Sequence, residues 1–217
     1  MPITTPPHNR WPGSTVWTFP SSTSPRRSSS NSVVTSFPRP NEAPPNCRAP
    51  RLWGHPGLRP LSATNLTPGS PLLAYRWEFT DRALAGQLAN EAEGHGGTVE
   101  PGHAAVRFVN PATGSDVLPT IRAEMHRVTR GAETAAVRET GSSVYQVFDG
   151  SGTVTVGDTT WSVTRGDLFV VPSWEPFSVR SEAGSTDSDS GALDLFRFSD
   201  APVFEALHLD RREGGHA

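Results

Sequence analysis

"AAVRETGSSVYQVFDGSG" occupies Ala135 to Gly152. Val144, Tyr145, Val147 and Phe148 form a short run of β-branched and aromatic residues, the composition of a strand. The run stops at Asp149-Gly150-Ser151-Gly152. A strand that ends in an acid and a Gly-x-Gly pair is turning a tight corner, because glycine accepts backbone angles that other residues resist. The segment just before the strand, Ala135 to Thr140, contains no histidine.

Further strands lie on both sides. "TVTV" (Thr153–Val156) and "TWSV" (Thr160–Val163) flank Gly157-Asp158, a two-residue hairpin signal. "LFVVP" (Leu168–Pro172), "PFSVR" (Pro176–Arg180) and "LDLFRF" (Leu193–Phe198) continue the series. Upstream are "HAAVRF" (His103–Phe108) and "TIRAEMHRV" (Thr120–Val128). In the latter, Ile121, Ala123 and Met125 alternate with Arg122, Glu124 and His126, the period of a strand with two unlike faces. Short strands at this spacing, punctuated by Gly, Pro and Asp, predict an all-β fold, an antiparallel sandwich or barrel. "EAGSTDSDSG" (Glu182–Gly191) reads as a long exposed loop.

Ahead of the strands, "LLAYRWEFTDRALAGQLANEAEG" predicts a helix over about residues 80–93. Thr80 is its expected N-cap and Asp81 favours the first turn. Phe79 and Leu84 stand at staple positions, Leu84 and Leu88 share an apolar face, and Gly94 is the expected stop. Residues 1–50 differ sharply: they hold about half of the 21 prolines, many serines, no leucine and a single acid, Glu42. Such a composition buries too little apolar surface to offset chain entropy, so a disordered tail is expected. The predicted organisation is residues 1–50 as tail, 51–98 as a linker with the helix, and 99–212 as the barrel.

The net charge is -3, with acids and bases nearly balanced, which argues against a nucleic-acid or anionic-membrane surface. Every basic side chain other than histidine is arginine, a mark of a GC-rich genome. Cys47 is the single cysteine, so no intrachain disulfide can form and a reducing compartment fits. The N-terminus shows no signal-peptide pattern and no apolar run is long enough to span a bilayer, so a cytoplasmic location is expected. His55, in "WGHPG", reads as a loop hydrogen-bonder, and His126 as a surface or rim residue. Trp53, Trp77, Trp161 and Trp174 read as core or interface residues.

The order strand, Asp149-Gly150-Ser151-Gly152, hairpin, Arg165-Gly166-Asp167, strand, Pro172 resembles the cupin barrel, a double-stranded β-helix. Metal-binding cupins present H-x-H on one strand, which puts both rings on the barrel's inner face. A further histidine from across the barrel completes the set. Anchored on Gly150 and Gly166, those positions fall here on Val137, Glu139 and Phe177, with Ser143 at the usual acid position. Two of the three are apolar, and one carboxylate does not hold iron or zinc. No metal is therefore expected in this barrel: Val137 and Phe177 should fill it, and Glu139 needs a partner or solvent.

Longer motifs narrow the resemblance. "RLWGHPGLRP", "SPLLAYRWEFTDRAL", "GHAAVRFVNPATGSDVLPTIRAEMHRV", "SSVYQVFDGSGTVTVGD", "GDLFVVPSWEPFSV" and "LFRFSDAPVFEALHL" resemble gentisate 1,2-dioxygenase and the related salicylate and 1-hydroxy-2-naphthoate dioxygenases. The resemblance covers Arg51 to about Arg211. It implies an Fe(II)-dependent, extradiol-type enzyme of two cupin barrels, with the iron in the N-terminal one. This chain resembles the C-terminal half, so catalytic residues are not expected in it. In such an enzyme O2 and a hydroxylated benzoate meet at the iron, and the bond between the carboxyl- and hydroxyl-bearing carbons opens. A homo-oligomer built on cupin surfaces is expected. The alternative is a metal-free cupin that binds a small aromatic acid, for which Arg107, Arg122 and Arg138 are the candidate carboxylate partners, or that serves as an oligomerisation module.

In this family a segment like W-V-D-G-L-D-I-P precedes the "RLWGHPG" region. The chain has "WPGSTVWTFP" (Trp11–Pro20) there. Taking each codon's third base with the next codon's first two permits every residue of that family segment, and Trp17-Thr18 compels its Asp. Residues 1 to about 50 are thus either a tail or an out-of-frame translation of the barrel-joining sequence.

Overall fold

The computed structural model describes Trp53, residues 59–62, 69–182 and 191–214. The expectations for residues 1–50, for His55 and for residues 183–190 of the long loop lie outside these residues. The order of elements is α1 (Trp77–Ala92), β1 (His103–Arg107), β2 (Arg122–Val128), β3 (Val137–Glu139), β4 (Ser143–Asp149), β5 (Ser151–Val156), β6 (Thr159–Thr164), β7 (Leu168–Val171), β8 (Phe177–Ser181), β9 (Leu193–Ser199), α2 (Ala201–Ala206) and β10 (Arg212–Gly214).

The strands form two five-stranded sheets, ordered β1-β2-β9-β4-β7 and β10-β3-β8-β5-β6. All pairings are antiparallel. β4 and β5 are consecutive yet lie in different sheets, so the chain crosses between them at Asp149-Gly150-Ser151. That crossing explains the glycines. A Cβ on Gly150 would sit 2.1 Å from the Ala192 carbonyl oxygen, and one on Gly152 would sit 2.4 Å from that of Arg180. No side chain fits where the crossing strand presses on β8 and on the entry to β9. The hairpin forms as expected, with Val156 paired to Thr159.

Side chains between the sheets make the main core. Val128, Val147, Val154, Leu193 and Leu195 are fully buried there, with Tyr145, Val163, Val171, Phe177 and Val179 around them. A second, smaller cluster lies on the outer face of the first sheet, where Leu84 of α1 packs on Ala104 and Met125. Leu84 has no exposed surface, and burying it is worth roughly 1.5–3 kcal/mol. Arg127 fastens the same helix: it pairs with Asp194 at 2.7 and 2.8 Å and with Asp81 at 2.9 Å, beneath the Trp77 ring.

Three details depart from the sequence reading. α1 starts at Trp77 with Arg76 as its N-cap, so Thr80 is a buried interior residue of the helix. Phe79 is 49% exposed and makes no staple, because the earlier start turns it outward. His126, expected at the surface or rim, turns inward: with Arg122 and Glu124 it shares the inner face of β2 with buried Val128. At the other end α1 stops as expected, with Glu93 as C-cap and Gly94 at φ 81. Among the described residues no helix is long and apolar enough to cross a membrane.

Candidate functional site

The inner face of the barrel changes character along its length. Leu193, Leu195, Val128 and Val147 fill one part, and beyond them the same strands present Arg197, Glu124 and Ser143. Period-two alternation puts Arg197 two places from Leu195 on β9 and directly opposite Glu124 on β2. From the other sheet, β3 brings Val137 and Glu139, and Val137 is paired to Phe177 of β8. Val137, Glu139, Phe177 and Ser143 therefore converge, together with Tyr145 and Arg197, on one small cavity of about 20 Å³. That is room for about one water molecule.

Arg197 organises this point. Its Nη1 donates to Glu124 Oε2 at 3.0 Å, its Nη2 to Glu139 Oε2, and its Nε and Nη2 to Ser143 Oγ at 3.0 and 2.8 Å. The guanidinium lies 5.6 Å from the centre of the Tyr145 ring. Burial works against its charge, but Tyr145, Glu139 and Glu124 outweigh that effect and raise its pKa above the ordinary value. Glu139 also faces Arg212 of β10 at 3.4 Å, so its partners are two arginines.

A second polar string joins the first. Glu100 lies 3.2 Å from His103 Nδ1, and His103 Nε2 lies 3.0 Å from His126 Nδ1. A carboxylate only accepts, so His103 carries its proton on Nδ1 and accepts from His126 through Nε2. His126 Nε2 then approaches Glu124 at 3.8 Å. Burial first, then the neighbouring His126, outweigh the opposite pull of Glu100 and take His103 from its ordinary 6.5 down to about 4. Burial alone would raise Glu124, but His126 and Arg197 prevail and hold it at about 2. His126 is thus no surface residue; its side chain is 14% exposed, beside Tyr145. Antiparallel pairing of the two predicted strands was the signal that could have joined His103 to His126. The two histidines lie on different strands, so an H-x-H spacing does not mark them.

Of the candidate carboxylate-binding arginines, Arg107 and Arg122 meet at Asp116, and Arg138 stands apart. Arg122 is held by both oxygens of Asp116 and both of Glu205 at 2.7–3.0 Å. Arg107 reaches the same Asp116 at 3.9 Å, and Arg138 is exposed on β3. Trp53 is buried and Trp77 covers Arg127, whereas Trp161 is 49% exposed. Trp174, at φ 67, lies in the loop between Pro172 and Phe177 and donates its backbone N–H to the Glu139 carbonyl.

An iron ion does not suit these residues. Val137 and Phe177 offer no donor atom, and Glu139 and Ser143 are engaged by arginine. Among the described residues no group of three or more His, Cys, Asp or Glu is placed to hold a metal ion.

A two-sheet antiparallel barrel with this crossing and these Gly motifs is a cupin. No protein-family model matches the sequence. A gentisate 1,2-dioxygenase of Streptomyces sp is 52% identical over 174 residues, 80% of this chain and 46% of the relative. A 5-aminosalicylate 1,2-dioxygenase of Comamonas sp is 32% identical over 73% of this chain and 40% of its own length. The salicylate 1,2-dioxygenase of Pseudaminobacter salicylatoxidans superposes with a TM-score of 0.72 at 54% identity, covering 77% of this chain and 46% of that one. The same enzyme has been solved as adducts with gentisate. The chain belongs to the gentisate 1,2-dioxygenase family, and it spans about half the length of the relatives it matches.

Proposed function

We propose that this chain is the C-terminal cupin of a ring-cleaving dioxygenase that inserts O2 into gentisate or a related hydroxybenzoate. The iron, as Fe(II), would be held by a second barrel encoded upstream, so the chain alone would be inactive. Residues 51–98 would be the linker between the barrels and 99–212 the C-terminal barrel, in a cytoplasmic homo-oligomer. Residues 1–50 would be the linker-proximal coding sequence read out of frame. The observation that carries this reading is the 52% identity to a gentisate 1,2-dioxygenase confined to 46% of that enzyme. A cavity of about 20 Å³ at the ligand positions supports it, since a hydroxybenzoate does not fit there.

The test is oxygen uptake with gentisate and with salicylate. One sample is the present chain. The other is a version that restores the alternative frame and includes the upstream coding region. Turnover by the second sample alone is the expected result. Turnover by the first, or an upstream frame filled with stops, would sink the reading.

The second reading, a metal-free module, is favoured by one observation in its oligomerisation form. On the outer face of the first sheet, Leu168 is 62% and Val170 54% exposed, beside Phe148, which packs on Trp77 of α1 and is still 43% exposed. Exposed apolar groups side by side favour association. Leu168→Glu should shift the isolated chain toward monomer in sedimentation velocity if this surface self-associates.

A further inference from the structure

The positions that the barrel motifs assign to metal ligands, Val137, Glu139 and Phe177, border the same cavity as the Arg197 side chain. We propose that the Arg197 guanidinium takes both the place and the charge of a metal ion in this barrel, and that it excludes one for as long as it is there. The proposal goes beyond the ring-cleavage reading and stands without it.

Three observations carry it. The first is coordination: four of the five guanidinium N–H groups are directed at oxygens, from Glu124, Glu139 and Ser143. These oxygens come from β2, β3 and β4, so the cation ties the two sheets together at one point, as a metal with ligands from both would. The second is the nature of the other neighbours. Val137 and Phe177 suit the weakly hydrated faces of a guanidinium and could not serve a metal, and Tyr145 offers its ring face at 5.6 Å. The third is space. The cavity of about 20 Å³ is too small for a hydrated metal ion, and a bare one could bind only by taking the two carboxylates from the guanidinium. Two cations sharing that pair in a dry site would repel strongly.

The inference has a consequence that an ordinary structural ion pair lacks. Without the guanidinium, Glu124 and Glu139 face one another across a void with a hydroxyl beside them, a hard-oxygen set suited to a divalent cation.

The test uses the whole chain, with Mn2+ as probe, followed by the EPR signal of free Mn2+ and by titration calorimetry. The parent chain should take up no Mn2+ in the barrel. Arg197→Met keeps the aliphatic stem and removes the guanidinium, leaving its place between the carboxylates open. It should bind one Mn2+ per chain and melt at higher temperature with it, and adding Glu139→Gln should abolish that uptake. A folded Arg197→Met that takes up no Mn2+ overturns the proposal, as does stoichiometric Mn2+ uptake by the parent that Glu139→Gln removes. If Arg197→Met fails to fold with or without Mn2+, a second pair of variants decides. Arg197→Lys should fold and stay free of Mn2+. Val137→His with Phe177→His places two imidazoles beside Glu139 while leaving Arg197, and it should also stay free of Mn2+. Stoichiometric uptake by either overturns the proposal.

Discussion

The first sheet carries the same kind of ion pair twice, once on each face, with the partners exchanged. Outside the barrel, Arg127 of β2 is paired to Asp194 of β9; inside, Glu124 of β2 is paired to Arg197 of β9. Each arginine has a second carboxylate from another layer, Asp81 of α1 outside and Glu139 of the opposite sheet inside. Each also lies against an aromatic ring, Trp77 outside and Tyr145 inside. The difference lies in what surrounds them. Asp81 is 49% exposed and Glu139 27%, so water reaches the second partner of the outer arginine more than that of the inner one. The outer arginine fastens a helix to a sheet, while the inner one occupies the convergence point of both sheets.

The largest test of that contrast is loss of the inner cation. Arg197→Met without added metal leaves Glu124 and Glu139 without their shared partner. It should destabilise the chain by about 3–5 kcal/mol in urea denaturation, the usual cost of orphaning a buried charge. The outer clamp should be more forgiving. Asp194→Asn removes the buried half of that pair but leaves Arg127 its contact to Asp81, and a loss of about 2 kcal/mol is expected in the same measurement. Equal losses at the two faces would mean that solvent access does not separate them.

The third prediction concerns pH, at up to about 1.4 kcal/mol per pH unit for each proton. His103 in the fold resists the proton that the unfolded chain accepts, so stability should fall as pH drops from 6.5 to about 4. Glu124 is held at about 2, below its ordinary 4.5, so its contribution is complete above pH 4.5 and is lost as pH falls toward 2. His103→Asn should flatten the upper window and Glu124→Gln the lower one, in unfolding curves taken across pH. An unchanged slope in either variant would remove that group from the inner string. The smallest effect belongs to Asp81→Asn. This half-exposed partner of Arg127 should be worth less than about 1 kcal/mol, less still in high salt.

Much of the architecture was legible before the structure. The strands were readable because short alternating runs with Gly and Pro boundaries leave few other options. The Gly-x-Gly corner was readable because only glycine tolerates the approach to Ala192 and Arg180. The start of α1 was misplaced because Thr80 looks like a cap by residue type, while it is a buried residue inside the helix. The candidate site was half legible. Motif spacing located Val137, Glu139, Phe177 and Ser143, and all four border the cavity. It did not reveal Arg197, which lies 58 residues from Glu139 and 73 from Glu124.

Local chemistry in the sequence was thus enough to predict an all-β sandwich or barrel with its corner, because turn residues and side-chain period act over a few neighbours, and the resemblance to cupins narrowed this to a barrel. Pairing decided the rest. Only the register of β2 on β9 could show that Arg197 faces Glu124 inside the barrel while Arg127 faces Asp194 outside it. Only the approach of β3 from the other sheet could make Glu139 the second partner of that inner charge. Those contacts join residues remote in the chain, and no local pattern encodes which face of a strand will be closed over.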